Sequence, residues 1–171
     1  MNSDRILIGV LSDTHISSSS GISSELKTAL SEFDRLKINY LFHLGDFTNI
    51  GVYRQLVNKY GEERVIAVLG NMDGRNLELS SLLPEFRDLT LLGHHILLLH
   101  GWGAPIKIIE RISKRYDTSE YDLIVFGHTH RHLLIQKGQK WYFNPGPCKA
   151  RGSFGFIELT PDEIIPRIVQ I

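Results

Sequence analysis

The chain has 171 residues, 42% of them hydrophobic, and sets 19 Lys and Arg against 19 Asp and Glu for a formal net charge of zero. That length holds one domain with an ordinary core, and zero charge leaves no wide positive field of the kind long nucleic acid requires, so no such partner is expected. One cysteine, Cys148, excludes an intramolecular disulfide and a thiolate zinc cluster; the first apolar run is too short for a signal-peptide core and none nears the roughly 20 residues that cross a bilayer, so the expectation is a cytoplasmic protein with no membrane partner.

Residues 6–11 form a short continuous apolar run, as in a strand covered on both faces. Residues 17–24 are polar, with a serine run at 17–20, and read as a loop; Ser23 or Ser24 then caps a helix carrying Leu26, Leu30, Phe33 and Leu36. A strand at 40–44, a helix at 52–60 and a strand at 64–69 follow, and this βαβαβ order implies right-handed crossovers and a parallel sheet. The style then changes. Residues 86–92 and 95–99 read as two strands joined by a tight turn at Gly93-His94. A helix from about 105 to 116 leads to a buried strand at 121–126, then to short strands near Leu133, near Trp141 and at 154–159, and to a last one at 163–171. Parallel units early and hairpins late predict two sheets packed face to face with helices outside, an α/β sandwich. Lys107, Arg111, Lys114 and Arg115 recur at spacings of three and four on the helix after Pro105 and read as its solvated face.

Five of the strand ends are followed by residues that bind hard or borderline metals. Asp13 and His15 follow the first strand, where an extended backbone would turn both side chains to the same side. Asp46 stops the second, after Gly45, which permits a sharp turn. Asn71 repeats the arrangement after Gly70 and offers an amide oxygen that coordinates without adding charge. His100 follows the strand at 95–99, and His128 and His130 follow the strand at 121–126 with the spacing of Asp13 and His15. A parallel sheet gathers the carboxyl ends of its strands along one edge, so these distant residues are expected to meet. Two Asp, four His and one Asn suffice for two neighbouring ions if Asp46 is shared. Imidazole and oxygen donors without thiolate favour Mn, Fe, Co, Ni or Zn over Mg or Ca; among these manganese is the expected resident. Two divalent transition metal ions about 3.5–4 Å apart make a clamp for phosphoryl transfer, which points to phosphate ester hydrolysis.

Other polar residues carry plainer readings. His43 lies inside a strand and reads as a satisfied buried histidine; His94 and His95 read as turn residues, and His132 at most as a neighbour of the ligands. Asp73 is either acidic decoration of the Gly70 loop or a partner orienting another residue. Arg75 and Arg151 read as exposed side chains, with phosphate contact as the rarer alternative.

Taken in order, Asp13-x-His15, Gly45-Asp46, Gly70-Asn71, His100-Gly101 and Gly127-His128-x-His130 resemble the complete signature of the calcineurin-like metallophosphoesterases, over about residues 6–147. Asn144-Pro-Gly-Pro147 and the chain length resemble the small bacterial and archaeal phosphodiesterase branch. The resemblance implies a four-layer, two-sheet α/β sandwich of the metallo-dependent phosphatase kind. It also implies a phosphodiesterase that cleaves small phosphodiesters by attack of a metal-bridging hydroxide. A first metal would be held by Asp13, His15, Asp46 and His130, and a second by Asp46, Asn71, His100 and His128, with Asp46 as the catalytic bridge and Asn71 helping to neutralise developing charge. Many members follow the Asn ligand with a His often assigned to protonating the leaving group. Here Met72 stands in that place, which fits the small branch and leaves the leaving-group acid open. The same fold serves as an interaction scaffold in a retromer subunit whose ligands are partly replaced, whereas here the set is intact; a phosphomonoesterase would want a stronger leaving-group acid. The substrate and the oligomeric state, a homo-oligomer included, stay open.

Overall fold

A computed structural model describes residues 4–17 and 22–171. Strand β1 (Ile6–Leu11) is followed by α1 (Ser24–Leu36), β2 (Tyr40–His43), α2 (Ile50–Tyr60) and β3 (Val65–Ala67). β1 pairs with β2 and β2 with β3, both parallel, as the βαβαβ order requires. Ser23 caps α1 by accepting from the Leu26 N–H, and Asn49 caps α2 by accepting from the Gly51 N–H. The expected serine loop falls outside the described residues except for Ser17.

After a short helix α3 (Leu77–Leu82), strands β4 (Phe86–Leu91) and β5 (His94–Leu99) form the antiparallel hairpin. Its two turn residues, Leu92 and Gly93, both have positive φ, the mark of a turn whose twist matches that of its strands. A 3-10 turn (Pro105–Lys107) leads into α4 (Ile108–Arg115), then come β6 (Leu123–Phe126), β7 (Leu133–Lys137), β8 (Lys140–Asn144), β9 (Ser153–Leu159) and β10 (Ile164–Gln170). The first sheet runs β10-β9-β1-β2-β3 and the second β4-β5-β6-β8-β7.

The period of two along each strand sorts the apolar side chains into three layers of core. Ile8 and Val10 of β1, Phe42 of β2, Ile96 and Leu98 of β5, Leu123 and Val125 of β6 and Ile157 and Leu159 of β9 fill the space between the sheets. Leu41, Val65, Phe154 and Phe156 face α1 and α2 on the outer side of the first sheet, and Leu97, Leu99, Ile124 and Phe126 face Ile108 and Ile112 of α4 on the outer side of the second. The result is the expected four-layer α/β sandwich. Lys114 and Arg115 of the basic stripe are ion-paired with Glu110 and Glu85, as befits a solvated face. Among the described residues no helix is long and apolar enough to cross a membrane.

The differences from expectation are local. β3 ends at Ala67, two residues short of the expected strand, because the Leu69 N–H leaves the sheet and donates to the Pro84 carbonyl. The 3-10 turn Asp73–Arg75 and α3 were not anticipated. Only Leu79 of α3 is buried, so a helix of that length writes no periodic pattern into the sequence.

Candidate metal centre

The carboxyl ends of β1, β2, β3, β5 and β6 deliver Asp13, His15, Asp46, Asn71, His100, His128 and His130 to one crevice. Asp13 is fully buried, and its Oδ2 is occupied by the Ser12 hydroxyl at 2.5 Å and the His128 N–H at 3.1 Å. Its Oδ1 is buried without a hydrogen-bond partner among the described residues. That oxygen faces imidazoles: His130 Nε2 lies 3.3 Å away, His15 Nε2 3.8 Å and His100 Nε2 4.0 Å. An orphaned buried carboxylate oxygen is costly unless a cation completes it. One donor atom from each of Asp13, His15, Asp46 and His130 falls within 4.8 Å of all the others.

Asp46 reaches both halves of the crevice through one atom. Its Oδ2 is 3.6 Å from His15 Nε2 and 3.5 Å from His100 Nε2, while its Oδ1 accepts from the Met72 N–H at 2.7 Å. On the far side Asn71 Oδ1 sits 3.0 Å from His100 Nε2 and 2.9 Å from His128 Nδ1. The other nitrogens of these two rings face carbonyls, His100 Nδ1 at 2.6 Å from Leu44 O and His128 Nε2 at 3.2 Å from Gly103 O. A neutral ring that donates to its backbone carbonyl keeps a lone pair on the other nitrogen for a cation, the arrangement of metal-binding histidines. The chemistry of these donor atoms suits a divalent metal, and Asp13, His15, Asp46 and His130 form the tightest group.

Ionisation follows the same plan. Burial, opposed by the charges of Asp46 and Asp13, leaves His15 below its ordinary pKa; burial and the nearby His100 do the same for His128. Burial also works against protonated His100, but its bond to Asp46 and the charges of Asp13 and Asp46 outweigh it and raise the pKa. Asp46 is held below its ordinary value because His100, the Met72 N–H and His15 together exceed the burial penalty.

The backbone does not run extended here, contrary to expectation. Asp13, His15, Asp46, His128 and His130 have φ of 51°, 46°, 57°, 69° and 52°, a left-handed region that costs a non-glycine residue on the order of 1 kcal/mol. Glycine would remove the strain and also the donor atom. The conformation is imposed from afar: the Asp13 N–H donates to Gly45 O and the His15 N–H to Asp46 O, both at 3.0 Å, which curls the β1 end around the β2 end. Gly45 has φ of 89°, and a Cβ there would run into the Gly70 backbone, while one on Gly70 would strike Asp46. The glycines thus let the two loops touch.

Asp73 orients another residue, the second of its two readings. It is fully buried and accepts from three backbone N–H groups at 2.8 Å: those of Asp46 and Gly70 through Oδ2 and that of Thr48 through Oδ1. Burial raises its pKa against the pull of these donors, yet with every partner a donor it has no proton aimed at the crevice. Asn144, also buried, donates to Gly127 O at 2.7 Å and Thr129 Oγ1 at 3.1 Å and so braces the loop carrying His128 and His130. His132, Arg75 and Arg151 are exposed. The cation that does approach is Lys149, whose Nζ lies 3.4 Å from His130 Nδ1; sequence alone held no sign of it, since its turn is pinned by the Cys148 N–H on Ser12 O.

His43 is a satisfied buried histidine, as expected. Its Nδ1 accepts from the Gly45 N–H at 3.2 Å and its Nε2 faces Thr14 Oγ1 at 3.3 Å, so it steadies the residues beside Asp46, Asp13 and His15. Burial pushes its pKa from 6.5 down to about 3. Unfolding lets the ring take up a proton wherever the pH lies between those values, so the stability it permits is intact above pH 6.5 and falls as the solution is acidified. In that window the cost is about 1.4 kcal/mol per pH unit. Urea melts of the metal-free protein from pH 6 to 4 should therefore show a steeper loss than those of His43→Gln, and equal slopes would contradict the assignment.

Residues 6–159 match the calcineurin-like phosphoesterase superfamily domain. A phosphodiesterase of Methanocaldococcus jannaschii is 25% identical over 150 residues, covering 82% of this chain and 83% of its own. An archaeal phosphodiesterase of known structure superposes with a TM-score of 0.76 at 21% identity, over 97% of this chain and 100% of that one. The vacuolar protein sorting 29 of Cryptosporidium parvum superposes with a TM-score of 0.66 at 22% identity over 98% of both chains, a likeness of fold.

Proposed function

Because the chain belongs to the calcineurin-like phosphoesterase superfamily, we propose that the crevice is the active centre of a dinuclear phosphodiesterase acting on small phosphodiesters. The observation that carries this is Asp46 Oδ2, poised between His15 on one side and His100 on the other. Asp13, His15, Asp46 and His130 would hold one divalent cation, and Asp46, Asn71, His100 and His128 a second, with manganese first among the candidates. Bound there, divalent cations would activate water as a nucleophile at neutral pH and neutralise phosphate charge.

The chain's own residues arrange the rest. Carbonyls of Leu44 and Gly103 fix the tautomers of His100 and His128, and Met72 N–H fixes the rotation of Asp46. Asn71, neutral and exposed, offers an amide to charge that develops on the phosphate. Lys149 Nζ lies 3.4 Å from His130 Nδ1, so if His130 held a cation through its other nitrogen, Lys149 would be left to meet the anionic substrate. Met72 supplies a thioether and Asp73 is consumed by backbone donors, so neither is an acid for a leaving alkoxide.

Turnover is therefore expected to depend steeply on leaving-group acidity. With Mn²⁺ or Ni²⁺, aryl phosphodiesters of falling phenol pKa should be cleaved at rising rates, and the matching monoester more slowly than the diester. A flat series would reveal an acid not identified above. The scaffold reading draws support from the fold likeness to the sorting protein, but the complete donor set favours chemistry; absence of metal-dependent hydrolysis of either ester would restore it.

A further inference from the structure

Beside the second group of donors lies a cavity of about 310 Å³ whose wall includes Asn71 and His100 together with Trp102, Tyr116, Arg115 and Glu85. The first two belong to the candidate metal centre, so the cavity and the centre share a rim. The others have no part in the reaction described so far. The rings of Trp102 and Tyr116 lie 6.3 Å apart at 64° to each other, and the Arg115 guanidinium stands 5.2 Å from the Trp102 centroid and 5.7 Å from that of Tyr116. Glu85 holds the guanidinium at 2.9 Å.

We propose that this cavity receives a planar aromatic group carried on one ester arm of the phosphodiester. The proposal rests on the phosphodiesterase reading, since it is the shared rim that puts a phosphate at the cavity mouth. Three planar surfaces reward a planar guest with stacking and cation–π attraction, whereas an alkyl arm gains only from leaving water. The space is near the lower end for small-molecule pockets, enough for a ring system and a sugar and too little for a long acyl chain. Glu85 and Arg115 add an acceptor and donors that a nucleobase edge can use and a plain phenyl ring cannot. Trp102 and Tyr116 pack against the core under α4, so the platform exists before the guest arrives.

The chain has two tryptophans, and Trp141 lies in β8 away from the crevice, so Trp141→Phe makes Trp102 the only indole emitter. Adenosine 5′-monophosphate, phenyl phosphate and methyl phosphate are titrated into this Mn²⁺-loaded protein. Binding is read by Trp102 emission and by inhibition of bis(p-nitrophenyl) phosphate hydrolysis. The two aromatic ligands should bind at least about tenfold more tightly than methyl phosphate, equivalent to about 1.4 kcal/mol, and should perturb the emission. Trp102→Ala should bring the ratio near one, and Trp102→Phe should keep most of it. Tighter binding of the nucleotide assigns the arm to a nucleobase, and parity or the reverse to a simple aryl group. Equal affinities in the parent protein, a preference that survives Trp102→Ala, or no saturable binding would overturn the proposal. Diester hydrolysis without aromatic preference removes the cavity's role and leaves the enzyme, whereas aromatic preference with no hydrolysis does the opposite.

Discussion

Replacing Asp46 with Asn should lower Mn²⁺-dependent phosphodiester turnover by about three orders of magnitude, or about 4 kcal/mol of transition-state stabilisation. The change is nearly isosteric, and its outcome depends on which oxygen is lost. The Met72 N–H, 2.7 Å from Oδ1, demands an acceptor there, so the amide nitrogen takes the place of Oδ2, between His15 and His100. A nitrogen with two protons cannot bridge cations. Metal content per chain, measured after gel filtration, should fall with activity, while the far-ultraviolet circular dichroism stays that of the parent. Retention of more than a tenth of the activity at full metal content would remove Asp46 from the bridging role.

The second large effect falls on stability. Asp73→Ala leaves the N–H groups of Asp46, Thr48 and Gly70 without their acceptor inside the protein. An unsatisfied buried donor costs about 1–3 kcal/mol, partly relieved where water enters. A net loss of about 4 kcal/mol corresponds, for a chain of this size, to a fall in Tm of about 8–16 °C. Asp73→Asn should fall between, because its amide oxygen can serve Asp46 and Gly70 while its nitrogen faces the Thr48 N–H. The two substitutions thus separate what the crevice does from what holds it: Asp46→Asn silences it with little loss of Tm, and Asp73→Ala loosens it first. An Asp73→Ala protein that melts like the parent would show that the two loops are held by something else.

Much of the fold was legible because its signals are short-range. Continuous apolar runs marked β1, β2 and β6, the change from βαβ units to hairpins marked two sheets, and each glycine-stopped strand announced a donor residue. What escaped has a common origin in distance along the chain. β9 and β10 join the first sheet beside β1, about 150 residues from it in sequence, because Ile157 and Leu159 pack with Ile8 and Val10 against the second sheet. Asp73 is tied to partners 25 and 27 residues earlier, and Lys149 meets a ring 19 residues away. The left-handed turns at Asp13 and His15 depend on carbonyls of the neighbouring strand end, so an isolated segment would give no hint of them.

The amino-acid order alone determined the kinds of donor, their attachment to strand ends and the layered architecture, because hydrophobic period and glycine placement act over a few residues. Only the folded arrangement decided the separations between donors, the tautomers of His100 and His128, the duty of Asp73 and the aromatic cavity beside the centre. Those depend on which strand ends lie side by side, and that is set by the packing of two sheets and by backbone hydrogen bonds between loops far apart in the chain.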